Sequence, residues 1–190
     1  MDIIEASTEE RDPRGGSLSL WLQRRRLDVG KPFLRGNVLD FGSHHGVLTN
    51  YVSADRYLGV EHDPVFIEKA RQLHPTYTFV TELPKDQKFD TVAAFALIEH
   101  IKDPGALIAE WASVLAPGGQ IVMTTPHPKF EWIHTLGARV GLFSHHAHDD
   151  HEDLIDKKLM TKLGAPSALA VTTYKRFLFG ANQLFVLSHR

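Results

Sequence analysis

The chain has 190 residues, 43% apolar and 23% charged, with a formal net charge of −2. That fits a single soluble domain spanning 1–190, and the charge balance argues against a broad nucleic-acid footprint, which needs clustered Lys and Arg. Cysteine is absent, which excludes disulfides, zinc fingers and thiolate nucleophiles.

Residues 1–17 are polar and charge-rich and read as a loose lead-in. The start is not a basic region followed by an apolar run, and no stretch approaches the ~18 apolar residues of a membrane span. A cytoplasmic protein without a membrane anchor is expected. Leu18, Trp21, Leu22 and Leu27 then suggest a short amphipathic helix, capped by Ser17 and closed near Gly30. Residues 37–41 form a compact apolar strand that runs into a glycine turn, Gly42 to Gly46, followed by a short helix and a second strand over 56–61.

Asp63-Pro64 is a helix start, because Asp caps free amides and Pro suits the first turn. A third strand follows over 77–80 and a fourth over 89–95. Asp103-Pro104 repeats the helix start, with Leu107, Ile108, Trp111 and Leu115 at helical spacing; Pro117-Gly118-Gly119 is expected to end that helix before a fifth strand over 120–125. Strand–helix alternation of this kind marks parallel strands joined by crossover helices. The tail differs: 168–177 and 182–188 read as an antiparallel pair turned at Gly180.

In an open parallel sheet, ligands bind beyond the carboxyl ends of the strands where strand order reverses. The first strand ends in Asp40-Phe41-Gly42-Ser43-His44-His45-Gly46, whose glycines let backbone turn sharply against a ligand. The second ends at Glu61, about 20 positions after Asp40, the spacing at which an acid can accept hydrogen bonds from ribose hydroxyls. A dinucleotide would want the pattern Gly-x-Gly-x-x-Gly so that pyrophosphate can approach the backbone. His44 and Val47 stand where that pattern wants glycine. S-adenosylmethionine has no phosphate and tolerates a looser turn.

Four segments in order, covering about 37–126, resemble the motifs of class I S-adenosylmethionine-dependent methyltransferases of the small-molecule kind. They are Val38-Leu39-Asp40-Phe41-Gly42-Ser43-His44-His45-Gly46, Tyr57 through Pro64 with Glu61, Phe89-Asp90-Thr91-Val92 through Glu99-His100-Ile101 with Asp103-Pro104, and Leu115 through Pro126 around Pro117-Gly118-Gly119. The resemblance implies a doubly wound, mostly parallel seven-stranded sheet with a C-terminal antiparallel hairpin. It implies Gly42, Ser43, His44 and Gly46 along the methionine end of the cofactor, Glu61 on the ribose and His62 beside the adenine. Ala94 and Phe95, just past the fourth strand, would lie near the reactive end. His44 replaces the family's usual glycine; histidine enters left-handed backbone more readily than most residues, so the turn can survive.

Methyl transfer is an in-line displacement in which protein groups mainly align reactants and exclude water. For a hydroxyl acceptor a base helps, and His127, immediately past the fifth strand, is the candidate. Glu99-His100 resembles part of a divalent-metal pattern, E-x-x-E-H, but Ala96 replaces its first acid, so no metal site is expected. His145, His146, His148 and His151 with Asp149 and Asp150 read as a solvated loop rather than a metal centre. One of Arg24, Arg25 and Arg26 could pair with the cofactor's carboxylate or an acidic substrate, although a surface charge run is the plainer reading. Residues 127–165 are expected to cover the pocket of a small-molecule acceptor. Two other readings are a non-catalytic or degenerate cofactor-binding module and a nicotinamide-dependent oxidoreductase.

Overall fold

A computed structural model describes residues 17–128 and 155–189 of the chain. Seven strands form one sheet: β1 (Val38–Phe41), β2 (Tyr57–Val60), β3 (Thr78–Val80), β4 (Phe89–Phe95), β5 (Leu115–Pro126), β6 (Leu169–Phe177) and β7 (Asn182–His189). Their order is β3-β2-β1-β4-β5-β7-β6. Strands β1 to β5 run parallel, and β7 lies antiparallel between β5 and β6. Strand order reverses between β1 and β4, so the crevice such sheets use for ligands opens there. This is the doubly wound, mostly parallel sheet with a C-terminal hairpin that the sequence implied.

Among the described residues four α-helices flank the sheet: α1 (Ser17–Gly30), α2 (Pro64–Leu73), α3 (Pro104–Ser113) and α4 (Lys157–Gly164). Three have aspartate caps. Asp63 accepts from the Val65 amide (2.8 Å), Asp103 from Ala106 (2.9 Å) and Asp156 from Leu159 (2.7 Å), each satisfying an amide with no partner inside its helix.

Because side chains alternate across a strand, the sheet sorts its apolar residues onto two faces. Val38, Ala93, Val122, Leu184 and Val186 lie on one face, covered by residues such as Leu27 of α1 and Ile67 and Ala70 of α2. Leu39, Val92, Ala94, Ile121, Met123, Phe185 and Leu187 lie on the other, beneath Ile108 and Trp111 of α3 and Met160 of α4. Each fully buried large side chain contributes roughly 1.5–3 kcal/mol. Trp21 and Leu20 of α1 stay exposed, so its buried side is narrower than its leucine spacing suggested.

Three local readings change. The short helix after Gly46 is a single 3₁₀ turn, Val47–Asn50, followed by a second, Ala54–Arg56. Only ten residues separate Gly46 from β2, too few for a full helix with entry and exit turns. Helix α3 ends at Ser113, before Pro117-Gly118-Gly119, and β5 already begins at Leu115. The three residues sit inside β5, where its pairing with β4 jumps from Phe89↔Leu115 to Thr91↔Gln120, and the extra length bulges out at Gly118, φ 75°. Ala94 and Phe95 are the last two residues of β4, in keeping with the strand read over 89–95 and not with a place past its end.

Of the segment expected to cover the pocket, 129–154 lies outside the described residues, as do the histidine-rich run at 145–151 and the lead-in up to residue 16. Its far end is core: Ile155 is buried, and α4 sinks Met160 against the sheet face shared with α3.

Candidate active site

The geometry begins with β1 and β2 ending side by side, Phe41 opposite Val60. Beyond them the chain turns through Gly42 (φ 74°), His44 (φ 48°) and Gly46 (φ 77°), all left-handed. The amides of Gly42 and Ser43 both donate to the Val60 carbonyl, at 2.9 and 3.0 Å, and Gly46 N–H donates to Ser43 O at 2.7 Å. A Cβ on Gly46 would stand 2.8 Å from the Phe79 ring, and one on Gly42 would stand 3.1 Å from Leu97. Both glycines are therefore fixed by packing as well as by backbone angle.

Glu61 closes this turn. Its Oε2 accepts from the His44 amide (2.9 Å), and its Oε1 accepts from the amides of His62 (2.8 Å) and Asp63 (3.0 Å). One carboxylate thus joins the loop after β1 to the loop after β2 through charge-assisted bonds, the stronger class of hydrogen bond. The spaced acid and the glycine turn meet at one end of the sheet. Sequence spacing did not reveal that Glu61 also builds the turn it faces.

His44 occupies left-handed backbone, as its residue type allows, and its ring stacks on Phe66 (centroids 3.8 Å apart) and His45 (4.0 Å). Burial, then the neighbouring His45, lowers its pKa, while Glu61 and Asp63 pull the other way. Ser43 is buried, with its hydroxyl against Gly59, so its backbone rather than its side chain faces the crevice. His62 is exposed beside Phe41, with ring centroids 5.8 Å apart. Ala94 is wholly enclosed in the core. Phe95 packs against Gly30 of α1, where an added Cβ would come within 2.3 Å of its ring. Of these two, only Phe95 keeps any exposure.

Beneath the turn lies a pair that sequence reasoning missed: Tyr57 Oη donates to Asp40 Oδ2 at 2.8 Å, both residues being about 5% exposed. Burial raises the Asp40 pKa to about 7 against the opposing effect of the Tyr57 hydrogen bond, with Glu61 adding to the rise. Burial and the Asp40 charge together push the Tyr57 hydroxyl upward. The signal was in the register: Asp40 pairs with Gly59, and Tyr57 lies two residues earlier on the same face.

A second polar group lies beyond β4 and β5. His127, past the end of β5, is 8% exposed, and its amide donates to Ala181 O at 2.9 Å in the β6–β7 turn. Arg26 Nε donates to Asn182 Oδ1 (3.0 Å), and Asn182 pairs with Pro126. Glu99 lies in a 3₁₀ turn over Ile98–His100; burial pushes its pKa up, while its own backbone, His100, Arg26 and Thr125 pull it down. Of the arginine run, Arg26 is the one turned inward, while Arg24 and Arg25 stay exposed. Among the described residues, no three His, Asp or Glu side chains cluster closely enough to hold a metal. Nor is any helix there long and apolar enough to cross a membrane.

A methyltransferase domain family model matches residues 15–160. The chain belongs to this methyltransferase family. It is similar to a probable S-adenosylmethionine-dependent methyltransferase of Mycolicibacterium smegmatis, 30% identical over 98 residues, which span 48% of this chain and 38% of that protein. It is also similar to a ubiquinone biosynthesis O-methyltransferase of Rhodopseudomonas palustris, 28% identical over 130 residues, or 65% of this chain and 48% of that one. The chain thus spans less than half the length of either relative. Among solved structures, a Pyrococcus horikoshii protein superposes with a TM-score of 0.70 at 18% identity, covering 94% of this chain and 96% of that one. A magnesium protoporphyrin IX methyltransferase from Synechocystis, with bound S-adenosylhomocysteine, reaches 0.62 at 15% identity, covering 91% and 83%. At these identities the likeness carries the methyltransferase fold.

Two consequences of the site geometry are measurable. A carboxyl whose folded pKa is raised from an ordinary value near 4 to about 7 contributes stability that is complete below pH 4 and lost as pH rises through 7. The loss for Asp40 is about 4 kcal/mol. In chemical denaturation, the stability of Asp40→Asn relative to the parent should therefore climb between pH 4.5 and 8; parallel curves would contradict the buried acid. At His44, Ala and Gly both remove the stacked ring, but only Gly fits φ 48° without strain. His44→Ala should be less stable than His44→Gly by about 1 kcal/mol, and equal denaturation midpoints would refute the strained turn.

Proposed function

We propose that this protein transfers a methyl group from S-adenosylmethionine to a small-molecule acceptor. The observation carrying the proposal is the convergence of Gly42, Gly46 and Glu61 beyond the ends of β1 and β2, beside the β1/β4 switch point. The residues suit the cofactor. The turn offers close backbone approach, and the Glu61 carboxylate, with about four lone-pair positions of which three amides take three, keeps one on Oε2 for a ribose hydroxyl. The backbone of Gly42, Ser43, His44 and Gly46 would border the methionine end, and His62 would flank the adenine. Ala94 would act through its backbone and Phe95 through its ring near the reactive end.

When bound, the cofactor supplies a methyl group activated on a sulfonium. The chain's residues align and enclose the reactants. His127, at the end of β5, would take the proton of a hydroxyl acceptor. The net charge of −2 suits a small acceptor better than a nucleic acid, and a soluble cofactor of the cytoplasm suits action there.

Calorimetric titration tests the reading. S-adenosylhomocysteine should bind and NAD should not, and Glu61→Ala should weaken the first at least tenfold. Binding of NAD alone, or an unchanged affinity in Glu61→Ala, would overturn it.

A further inference from the structure

The polar group beyond β4 and β5 has a feature that packing does not explain. Glu99 Oε2 is buried and, among the described residues, has no hydrogen-bond partner. Leaving such a group unpaired is costly, more so when it is charged, and its presence in a folded protein calls for a reason. Arg26 does not supply the missing partner. Its charge acts on Glu99, yet no Arg26–Glu99 contact falls within ion-pair distance, and its Nε is committed to Asn182.

Position gives the reason. The segment after β4 puts Leu97 over Gly42, on the cofactor side of the crevice, and Glu99 follows two residues later. Glu99 therefore lies on the segment that leaves the glycine turn at Leu97, with an unpartnered carboxyl oxygen two residues on. That is where an acceptor must lie to meet a methyl group delivered from the turn. A carboxyl oxygen without a donor, with a guanidinium nearby but not touching, complements a group that brings its own polar hydrogen.

We propose that Glu99 recognises the methyl acceptor, taking through Oε2 a hydrogen bond from the acceptor's hydroxyl or amine, with Arg26 as a positioning residue that holds the carboxyl's charge. The assignment rests on the cofactor reading above and adds its acceptor class: a protic small molecule. Burial pushes the Glu99 pKa up, whereas its own backbone, His100, Arg26 and Thr125 favour the anion that accepts such a bond.

An acceptor-independent probe tests this. Sinefungin carries an amine-bearing carbon where S-adenosylmethionine has its methylsulfonium, so its ammonium projects to the acceptor side. S-adenosylhomocysteine has nothing there. The ratio of the two dissociation constants should favour sinefungin in the parent protein. In Glu99→Gln that preference should fall at least fivefold while S-adenosylhomocysteine affinity stays within twofold, which also reports an intact fold. Glu99→Asp should fall between the two. An unchanged ratio would overturn the Glu99 assignment alone. Failure of both ligands to bind the parent protein would overturn the cofactor reading and this proposal with it.

Discussion

The arrangement at the sheet's carboxyl end depends on one carboxylate. Glu61 gathers the amides of His44, His62 and Asp63, tying the turn after β1 to the entry of α2. Those amides belong to loops with no ladder of their own, and without an acceptor each would need water. The negative charge also lies next to the N-terminus of α2, capped by Asp63, where the helix dipole favours anions. The residue proposed to meet a ribose thus also joins the two loops that border the crevice. Its removal changes both binding and local structure, and the conservative Gln, which brings an amide N–H into a cluster of donors, is not neutral here.

Burial of charge runs through the same end of the molecule. Asp40 lies under the glycine turn with Tyr57 as its donor, and Glu99 lies beyond β4 near Arg26. Desolvation raises both carboxyls, and each has a neighbour that partly offsets it. A core stabilised only by packing would fill these positions with aliphatic side chains, as it does one residue away at Leu39 and Ile98. Perturbed acids in a crevice are the pattern expected of a functional site.

Much of this was legible in the sequence because the signals were local. Asp-Pro pairs announced α2 and α3, alternating apolar runs announced the strands, and two glycines with an acid about 20 positions on marked the crevice. What escaped depended on register or distance. The Pro117-Gly118-Gly119 bend reads as a helix stop but is a bulge inside β5, because pairing with β4 continues on both sides of it. The Asp40–Tyr57 bond needs β1 and β2 aligned before it can be seen. Arg26 looked no different from Arg24 and Arg25 until α1 was laid on the sheet and reached Asn182, 156 positions away.

The most direct test of the Glu61 clamp is amide hydrogen exchange at His44, His62 and Asp63, followed by NMR with and without S-adenosylhomocysteine. The account predicts slow exchange at all three in the free protein, slower still with ligand, and a shift of the Glu61 carboxyl carbon on binding. Rapid exchange at His44 in both states, with a Glu61 carbon that does not respond to ligand, would contradict it.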